Sequence, residues 1–365
     1  MADRVDLKNL TQSQLAELVL AWGLPASRVR QLFALIHRPG TRDFSGMSAF
    51  KREIRAVLCA RARLSRLEPA AVQRSQDGTV KLAFRLDDGA VIESVLIPAG
   101  ERHTLCVSSQ VGCAMGCRFC LTAKMGFQRN LAPAEIVNQV IAAQEHLIAS
   151  GCVRATTRQL IDNLVFMGMG EPLANYDNLV TALNILMDNS GLGFTERRVT
   201  VSTCGLPARM RDLGRDVRVN LAVSLHATND ALRSSLMPMN RTHGMEELLA
   251  ACRDYPLSKR QVIFVEYLLI DGVNDAVDDA RALAAHLRGI RCRINLLAYN
   301  ETAALPYRSS GQARAETFQR TLTGAGYLVL VRDSRGADIA AACGQLAKGQ
   351  RDAQGVLPGH PAPRQ

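Results

Sequence analysis

The spacing of apolar and polar positions divides the first hundred residues into two regions. Across residues 1–65 apolar side chains recur at helical spacing in short segments, and Thr11 is placed to cap the first of them. Residues 66–100 alternate with period two instead, with hairpin turns at Asp77-Gly78 and Asp88-Gly89. We therefore predict a small helical domain followed by a β-meander linker.

From Cys106 to about Val331, short β-rich runs alternate with amphipathic helical stretches, and we assign residues 101–346 to this domain. Such alternation implies parallel strands joined by helical crossovers, and the units are too few for a closed eightfold barrel. We predict an α/β fold, a partial (β/α) barrel of about six units. Its strand candidates are Asn163–Met167, Arg198–Ser202, Arg218–Ser224, Val262–Ile270 and Cys292–Leu297. Repeated glycine and proline predict a disordered tail over residues 347–365.

The length and composition exclude several classes of protein. A chain of 365 residues can bury a full core and hold one large domain plus a small one. The start lacks the layout of a signal peptide, and the most apolar stretch is short and interrupted by Glu266. Ten cysteines without a secretion signal favour metal or redox use over a disulfide framework. We expect a soluble, cytoplasmic monomer that does not bind membranes.

The net charge of +10 is unevenly distributed, since residues 1–68 contain twelve Lys and Arg against six Asp and Glu. Affinity for nucleic acids depends largely on neutralising phosphates, so a polyanion is one interpretation. An ordinary solvated helical surface is the other, and charge alone leaves both open. The candidate contacts are Arg28, Arg30, Arg38, Arg42, Lys51, Arg52, Arg55, Arg61, Arg63 and Arg66.

Three cysteines form the most informative motif. Cys113, Cys117 and Cys120 have the spacing C-x-x-x-C-x-x-C. Iron–sulfur clusters are normally held by four thiolates, so three would leave one iron of a four-iron cluster open to a substrate or cofactor. A zinc knuckle or a ferredoxin-like carrier fits less well, because no second C-x-x-C pair is present and the next cysteine is Cys152.

Polar or small residues follow four of the strand candidates. Because the carboxyl ends of parallel strands build the active site in such folds, we expect these segments to converge on one rim. Each segment alone is compatible with ordinary turn chemistry, and a single histidine such as His226 is more often structural. The segments are Gly168-Met169-Gly170-Glu171-Pro172, Ser202-Thr203-Cys204-Gly205, Ser224-Leu225-His226-Ala227 and Tyr299-Asn300.

Together these motifs resemble the RlmN family of dual-specificity RNA methyltransferases. These are radical S-adenosylmethionine (SAM) enzymes that methylate carbon 2 of adenine in 23S rRNA and tRNA. The resemblance extends from about residue 80 to residue 346 and implies a radical SAM barrel. It is carried by residues 105–113 with the three cysteines, 168–173, 202–203, 224–227, 237–240 and 342–346.

The resemblance also implies a role for each matching residue. Cys113, Cys117 and Cys120 would bind a [4Fe–4S] cluster, with SAM on the open iron. Cys343 would become the methylated intermediate, Cys106 its partner in a transient disulfide, and Glu93 the proton acceptor. One departure is Leu121, where the family usually has a small residue, so packing beside the cluster is left open. The implied SAM contacts are Gly170, Glu171, Ser202, Ser224, Leu225, His226 and Asn300.

The implied chemistry follows from the target atom. Carbon 2 of adenine lies between two ring nitrogens and is too electron-poor to attack the methyl group of SAM directly. In the family, Cys343 takes a methyl group first, and a radical made from a second SAM then removes a hydrogen from that methyl. The resulting methylene adds to the ring, and a base and a second thiol release the product. The protein orients and shields this chemistry.

Several alternatives remain at this stage. A sister activity methylates carbon 8 of a ribosomal adenine and confers antibiotic resistance, and it shares the cluster, the SAM site and both cysteines. A non-catalytic iron–sulfur RNA-binding module would not need Cys343 or Cys106. The expected partners are 23S rRNA, tRNA and an electron donor such as flavodoxin or ferredoxin.

Overall fold

A computed structural model describes residues 4–152 and 159–346, so the predicted tail over 347–365 lies outside the described residues. The N-terminal region is helical, as predicted, and Thr11 caps its first helix by accepting from the Gln14 N–H. Two short parallel strands close the region. Its elements are β1 (Val5–Asp6), α1 (Gln12–Ala21), α2 (Val29–Ile36), α3 (Arg52–Arg61) and β2 (Ala62–Arg63).

The N-terminal helices share one hydrophobic core with the rest of the chain. Phe33 of α2 is fully buried and lies beside the loop at Gly191, where an added Cβ would be 2.9 Å from its ring. The buried Lys8 ammonium donates to Asn138 at 2.8 Å. Burial lowers the pKa of Lys8 to about 8. The helical region therefore packs against the barrel and shares its hydrophobic core.

The predicted meander is present and is part of a larger sheet. Its strands are β3 (Pro69–Arg74), β4 (Val80–Arg85) and β5 (Val91–Ala99), all antiparallel. Gly78 and Gly89 have φ of +83° and +85°, which the two tight turns require. Because β5 pairs directly with β6 (Arg102–Cys106), the meander extends the barrel sheet and is not a separate linker.

In the part of the chain that the structure describes, seven parallel strands form the open barrel, which confirms the predicted fold class. A short hairpin, β7 (Gln110–Gly112) and β8 (Phe127–Asn130), stands between the first two of these strands. After β6 the parallel strands are β9 (Asn163–Phe166), β10 (Val199–Thr203), β11 (Asn220–Ser224), β12 (Ile263–Leu269), β13 (Cys292–Ala298) and β14 (Val329–Arg332). The helices are α4 (Leu121–Lys124), α5 (Pro133–Ala149), α6 (Tyr176–Met187), α7 (Pro207–Asp216), α8 (Asp230–Leu236), α9 (Met245–Asp254), α10 (Val277–His286) and α11 (Gln312–Gly324).

Alternation along each strand turns particular side chains into the barrel. On β10, Val199 and Val201 are fully buried in the core, while Ser202 lies on the opposite face of the strand and lines an interior cavity. The same period two places Glu266 of β12 inside the barrel. Across the described ranges, no helix is both long and apolar enough to cross a membrane.

Candidate active site

The three motif cysteines stand on one loop between β7 and α4. Gly112 ends β7 with φ +73°, and a Cβ there would lie 1.8 Å from the Gly126 carbonyl oxygen, so only glycine fits. The Cys113 N–H donates to the same carbonyl at 3.2 Å, and the Cys120 N–H donates to the Cys117 carbonyl at 3.2 Å. All three cysteines line one cavity, which we call the cysteine cavity.

The cysteine cavity suits a cluster and a cofactor. It encloses about 1050 Å³ free of protein atoms, part of which is open to solvent. Burial raises the pKa of Cys113 to about 12 and that of Cys117 well above its usual value, and bound iron would reverse this effect by favouring thiolates. Within the described ranges no three His, Cys, Asp or Glu side chains could hold a single ion. A four-iron cluster has no such requirement, because each thiolate binds a separate iron.

Glu171 is held rigidly at the wall of this cavity. Its carboxylate accepts from the Leu173 N–H at 3.0 Å and from the Cys204 N–H at 2.8 Å. Burial is the largest influence and raises the pKa of this carboxyl group. The preceding Gly170 has φ +100°, and a Cβ there would lie 2.5 Å from the Gln110 Cβ. The backbone therefore passes close to Gln110 and leaves Glu171 facing the cavity.

His226 is a neutral imidazole with a defined tautomer. Its Nδ1 accepts from the Leu268 N–H at 3.0 Å, so the proton is on Nε2. Burial lowers the pKa of His226 to about 3. The residue has φ +56°, and the Asn274 side chain donates to its carbonyl at 2.8 Å. Its ring packs edge-on against Phe119 of the cysteine loop, so His226 also supports that loop.

Of the other predicted SAM contacts, two line the cysteine cavity and two do not. Ser202 and Ser224 line the cysteine cavity beside His226 and Glu171. Leu225 does not: its side chain is buried in the core, its N–H donates to the Glu266 carbonyl, and its carbonyl accepts from Arg233. Asn300 lies outside the cysteine cavity and donates to the Cys343 carbonyl at 3.1 Å. The structure thus gives Leu225 no side-chain contact with the cavity and makes Asn300 a support for Cys343.

Cys343 lies on a segment that is hydrogen-bonded to α4, the helix that follows the cysteine loop. The Leu121 N–H donates to the Gly344 carbonyl at 2.8 Å, and the Thr122 hydroxyl donates to the Leu346 carbonyl at 2.8 Å. Cys343 is accessible from the cavities it lines, yet protein surrounds it, and these surroundings raise the pKa of its thiol to about 11. Leu121 itself is buried, so the unusual residue fills space beside the three cysteines.

Cys106 and Cys343 meet at a second cavity of about 1880 Å³, part of it open to solvent. Cys106 ends β6 and is buried, and its pKa is raised by burial first and by the Cys343 charge second. Both cysteines are free thiols in this structure, so the transient disulfide stays a prediction. Cys343 lines both cavities and stands where they meet.

Glu93 lines neither of these cavities. Its side chain is 1% exposed on β5, and the Lys81 ammonium lies 3.4 Å from the carboxylate. Lys81 also donates to the Ala340 carbonyl at 3.3 Å. Ala340 has φ +50°, a left-handed conformation that alanine rarely adopts. Lys81 therefore connects the strand of Glu93 to the segment that carries Cys343.

Sequence reasoning missed a buried arginine that organises the strand ends. Arg233 of α8 is 0% exposed and donates to the carbonyls of Cys204 at 2.6 Å and Ser224 at 3.1 Å. It also donates to the Asn240 side chain at 2.7 Å, inside one of the quoted motifs. No local pattern distinguishes this arginine from one on a helix surface, so only the fold reveals it.

Comparisons with known proteins agree with this geometry. A family model described as the radical SAM superfamily matches residues 107–284. A model described as the ribosomal RNA large subunit methyltransferase N-terminal domain matches residues 5–64. A solved structure of a radical SAM methyltransferase from Sphaerobacter thermophilus has a TM-score of 0.86 and 43% identity, covering 93% of this chain and 98% of that chain. The fold and the site therefore define an enzyme of the radical SAM methyltransferase class.

Curated relatives define the family more closely. A dual-specificity RNA methyltransferase RlmN from Desulfotalea psychrophila is 50% identical over 345 residues, which is 94% of this chain and 95% of the relative. The protein of the same name from Geobacter sulfurreducens is 48% identical over 353 residues, covering 97% of this chain and 94% of the relative. The chain belongs to the RlmN family.

Proposed function

We propose that this enzyme methylates carbon 2 of adenine in 23S rRNA and in tRNA, with Cys343 as the methyl carrier. The observation that carries the proposal is the position of Cys343 between the cysteine cavity and the cavity that contains Cys106. A carrier thiol must reach the methyl donor on one side and the acceptor base on the other. The name shared by the curated relatives, dual-specificity RNA methyltransferase, supports the same assignment.

The cofactors that fit the cysteine cavity are a [4Fe–4S] cluster and SAM. Cys113, Cys117 and Cys120 would hold the cluster, and the charged and polar groups beside them would hold SAM. When bound, these groups would supply the methyl group and the radical chemistry that an electron-poor ring carbon requires. The lining residues proposed for SAM are Gly170, Glu171, Ser202, Ser224 and His226.

The remaining steps belong to side chains of this chain. Cys343 takes the methyl group and presents it to the base, which must leave the stack of folded RNA to reach it. Cys106 faces the second cavity, which Cys343 also lines, and would free the product by forming a disulfide bond with Cys343. Glu93 remains the proposed proton acceptor, and Lys81, which contacts both Glu93 and the Ala340 carbonyl, connects it to the Cys343 segment. An external donor such as flavodoxin or ferredoxin would supply the electrons. The enzyme would act in the cytoplasm as a monomer.

The position of the methyl group decides between carbon 2 and carbon 8. Purified enzyme with reconstituted cluster should be incubated with SAM, a reductant and unmodified rRNA or tRNA, and the RNA digested to nucleosides. Liquid chromatography with mass spectrometry is expected to find 2-methyladenosine in both RNAs. Detection of 8-methyladenosine alone would replace the proposed function by the carbon-8 activity that confers antibiotic resistance. If neither 8-methyladenosine nor 2-methyladenosine were found, methyl transfer to adenine in RNA would be excluded.

The N-terminal arginines are expected to bind RNA without taking part in catalysis. Because α1 to α3 share the barrel core, deleting them would expose apolar surface, so point substitutions are the cleaner test. Arg28, Arg30, Arg38 and Arg42 are all exposed and none lines either cavity. Changing all four to glutamine should weaken RNA binding, and each lost phosphate contact should flatten the slope of log affinity against log salt by roughly 0.7 to 0.9.

Titrations at several salt concentrations measure this slope. A matched control changes four exposed arginines of the barrel, namely Arg218, Arg253, Arg288 and Arg320, to glutamine. The control removes the same charge and should leave the slope closer to that of the unmodified protein. Equal slopes in the two variants would mean that the N-terminal charges are ordinary solvated surface.

A further inference from the structure

Glu266 is a buried carboxylate that the proposed mechanism does not use. It lies in the middle of β12, 6% exposed, and faces the interior of the barrel. In the sheet register it stands between Ser224 of β11 and Asn295 of β13. An unneutralised carboxylate inside a barrel is costly, so its presence there calls for a chemical explanation.

A short hydrogen-bond chain fixes the orientation of this carboxylate. The Asn295 Nδ2 donates to Glu266 Oε1 at 2.7 Å, and the Arg332 Nε donates to Asn295 Oδ1 at 3.1 Å. Because arginine can only donate, the amide oxygen of Asn295 must face Arg332 and its nitrogen must face Glu266. The Asn295 donor and the Arg332 charge both lower the pKa of Glu266, but they do not offset burial, which raises it to about 7.

The position of Glu266 relative to the two cavities is unusual. Among the residues that the structure describes, four line both cavities, namely Met167, Glu266, Leu297 and Cys343. Two of these four are apolar, so Glu266 is the carboxylate among them that shares the junction with the Cys343 thiol. The two groups also interact electrostatically. Burial is the largest cause of the raised pKa of Cys343, and the Glu266 charge is the second.

Other proton acceptors near Cys343 are less suitable. Both oxygens of Glu171 accept hydrogen bonds from backbone N–H groups, and Glu171 lines the cysteine cavity but not the second cavity. The unprotonated nitrogen of His226 is occupied by the Leu268 N–H. Glu93 lines neither cavity. Glu266 is therefore the acceptor that the geometry favours.

We propose that the Glu266 carboxylate accepts the thiol proton of Cys343 when Cys343 takes its methyl group. In this step the S–H bond of Cys343 and the S–CH₃ bond of SAM break, and a bond forms between the Cys343 sulfur and the methyl carbon. The proton passes to Glu266, and neutral S-adenosylhomocysteine leaves. This role rests on the proposed function of Cys343 as the methyl carrier.

The charged and titratable groups around Glu266 are few on the neighbouring strands. β11 and β13 present the uncharged Ser224 and Asn295, while Arg332 of β14 and Cys343 of the C-terminal segment can carry charge. Further groups line the two cavities, namely Cys106, Arg197, Arg198, Asp333 and Arg335 in one and Glu171, Cys204, His226, Tyr299 and the three motif cysteines in the other.

The test measures how fast iodoacetamide alkylates Cys343 as a function of pH. The full chain, with reconstituted cluster and without SAM, is treated anaerobically, and the carbamidomethylated fraction of tryptic peptide 336–348 is quantified over time by mass spectrometry. That peptide contains one cysteine, Cys343. Below its pKa Glu266 is neutral and cannot accept a proton, and above it the carboxylate can, so the rate should rise through a step near pH 7.

Glu266→Gln should lose this step, and alkylation at pH 8 should fall by on the order of tenfold to a hundredfold. Glu266→Asp retains a carboxylate and should retain a step. If Glu266 were only a repelling charge, its removal would lower the pKa of Cys343 and speed alkylation. Faster alkylation or an unchanged profile in the glutamine variant would overturn the proposal.

Two controls separate this result from general effects on the protein. The exposed Cys59 lies in tryptic peptide 56–61 of the same digest and should show one profile in every variant. Glu316→Gln removes a surface carboxylate and should leave Cys343 unchanged. Failure of the proposed function would appear separately, as wild-type protein in which Cys343 never acquires a methyl group from SAM.

Discussion

Replacing Cys343 by alanine is expected to abolish RNA methylation, by at least roughly a thousandfold, and to prevent any covalent bond between enzyme and RNA. Cys343 is the one cysteine in the described ranges that lines both cavities, so no other thiol there is placed to carry a methyl group between them. A denaturing gel of enzyme incubated with labelled RNA and SAM measures the covalent bond directly.

Cys106→Ala should have the opposite effect on this gel. Cys106 lines the second cavity with Cys343 and is absent from the cysteine cavity, so its loss should leave methyl loading intact and block release. The adduct through Cys343 should accumulate. Cys59→Ala, at an exposed position on α3, is the control and should behave as wild type. Equal absence of adduct in the Cys106 and Cys343 variants would contradict the division of roles.

Cys117→Ala is expected to lose the four-iron cluster and with it all cleavage of SAM. The prediction depends on the arrangement of Cys113, Cys117 and Cys120, which line one cavity from one loop and leave no spare ligand on that loop. Iron analysis and Mössbauer spectroscopy after anaerobic reconstitution measure the cluster. A complete four-iron cluster in the Cys117→Ala protein would sink the ligand assignment.

Cys204 provides a sharp comparison for this experiment. It lines the same cavity, is buried, and feels the charges of Glu171 and Cys117, so it is the obvious alternative fourth ligand. Burial first and the Glu171 charge second raise the pKa of the Cys204 thiol well above its usual value, which disfavours the thiolate that would bind iron. Cys204→Ala should therefore retain its iron, and loss of iron in this variant would mean that the cluster has no open position.

The barrel could be predicted because its strands are apolar and the polar residues at their ends are distinctive. β14 was missed among the strand candidates although Val329–Arg332 is as long as β9, because none of the quoted motifs marks its end. The meander was interpreted as a linker because local alternation shows a strand but not its partner, and the pairing of β5 with β6 is a tertiary fact.

The site was predictable where a motif places the backbone and less so where the fold decides. The cysteine loop follows from spacing and from the glycine at Gly112, both visible in the sequence. The burial of Leu225 and the contact between Asn300 and Cys343 depend on how strands and the C-terminal segment pack. Glu266 did leave a signal, since it interrupts the most apolar stretch of the chain, and its place in the barrel gives that interruption a meaning.

Isotope transfer tests the central claim, that the methyl group passes through Cys343. The enzyme is first incubated with SAM that carries a trideuterated methyl group, freed of excess SAM, and checked by mass spectrometry for label on peptide 336–348. Unlabelled SAM, reductant and RNA are then added for a single turnover. We expect the methyl carbon on adenine to carry deuterium from Cys343, although the SAM present in that turnover has none. An unlabelled methyl group on the RNA, with the label still on Cys343, would contradict it.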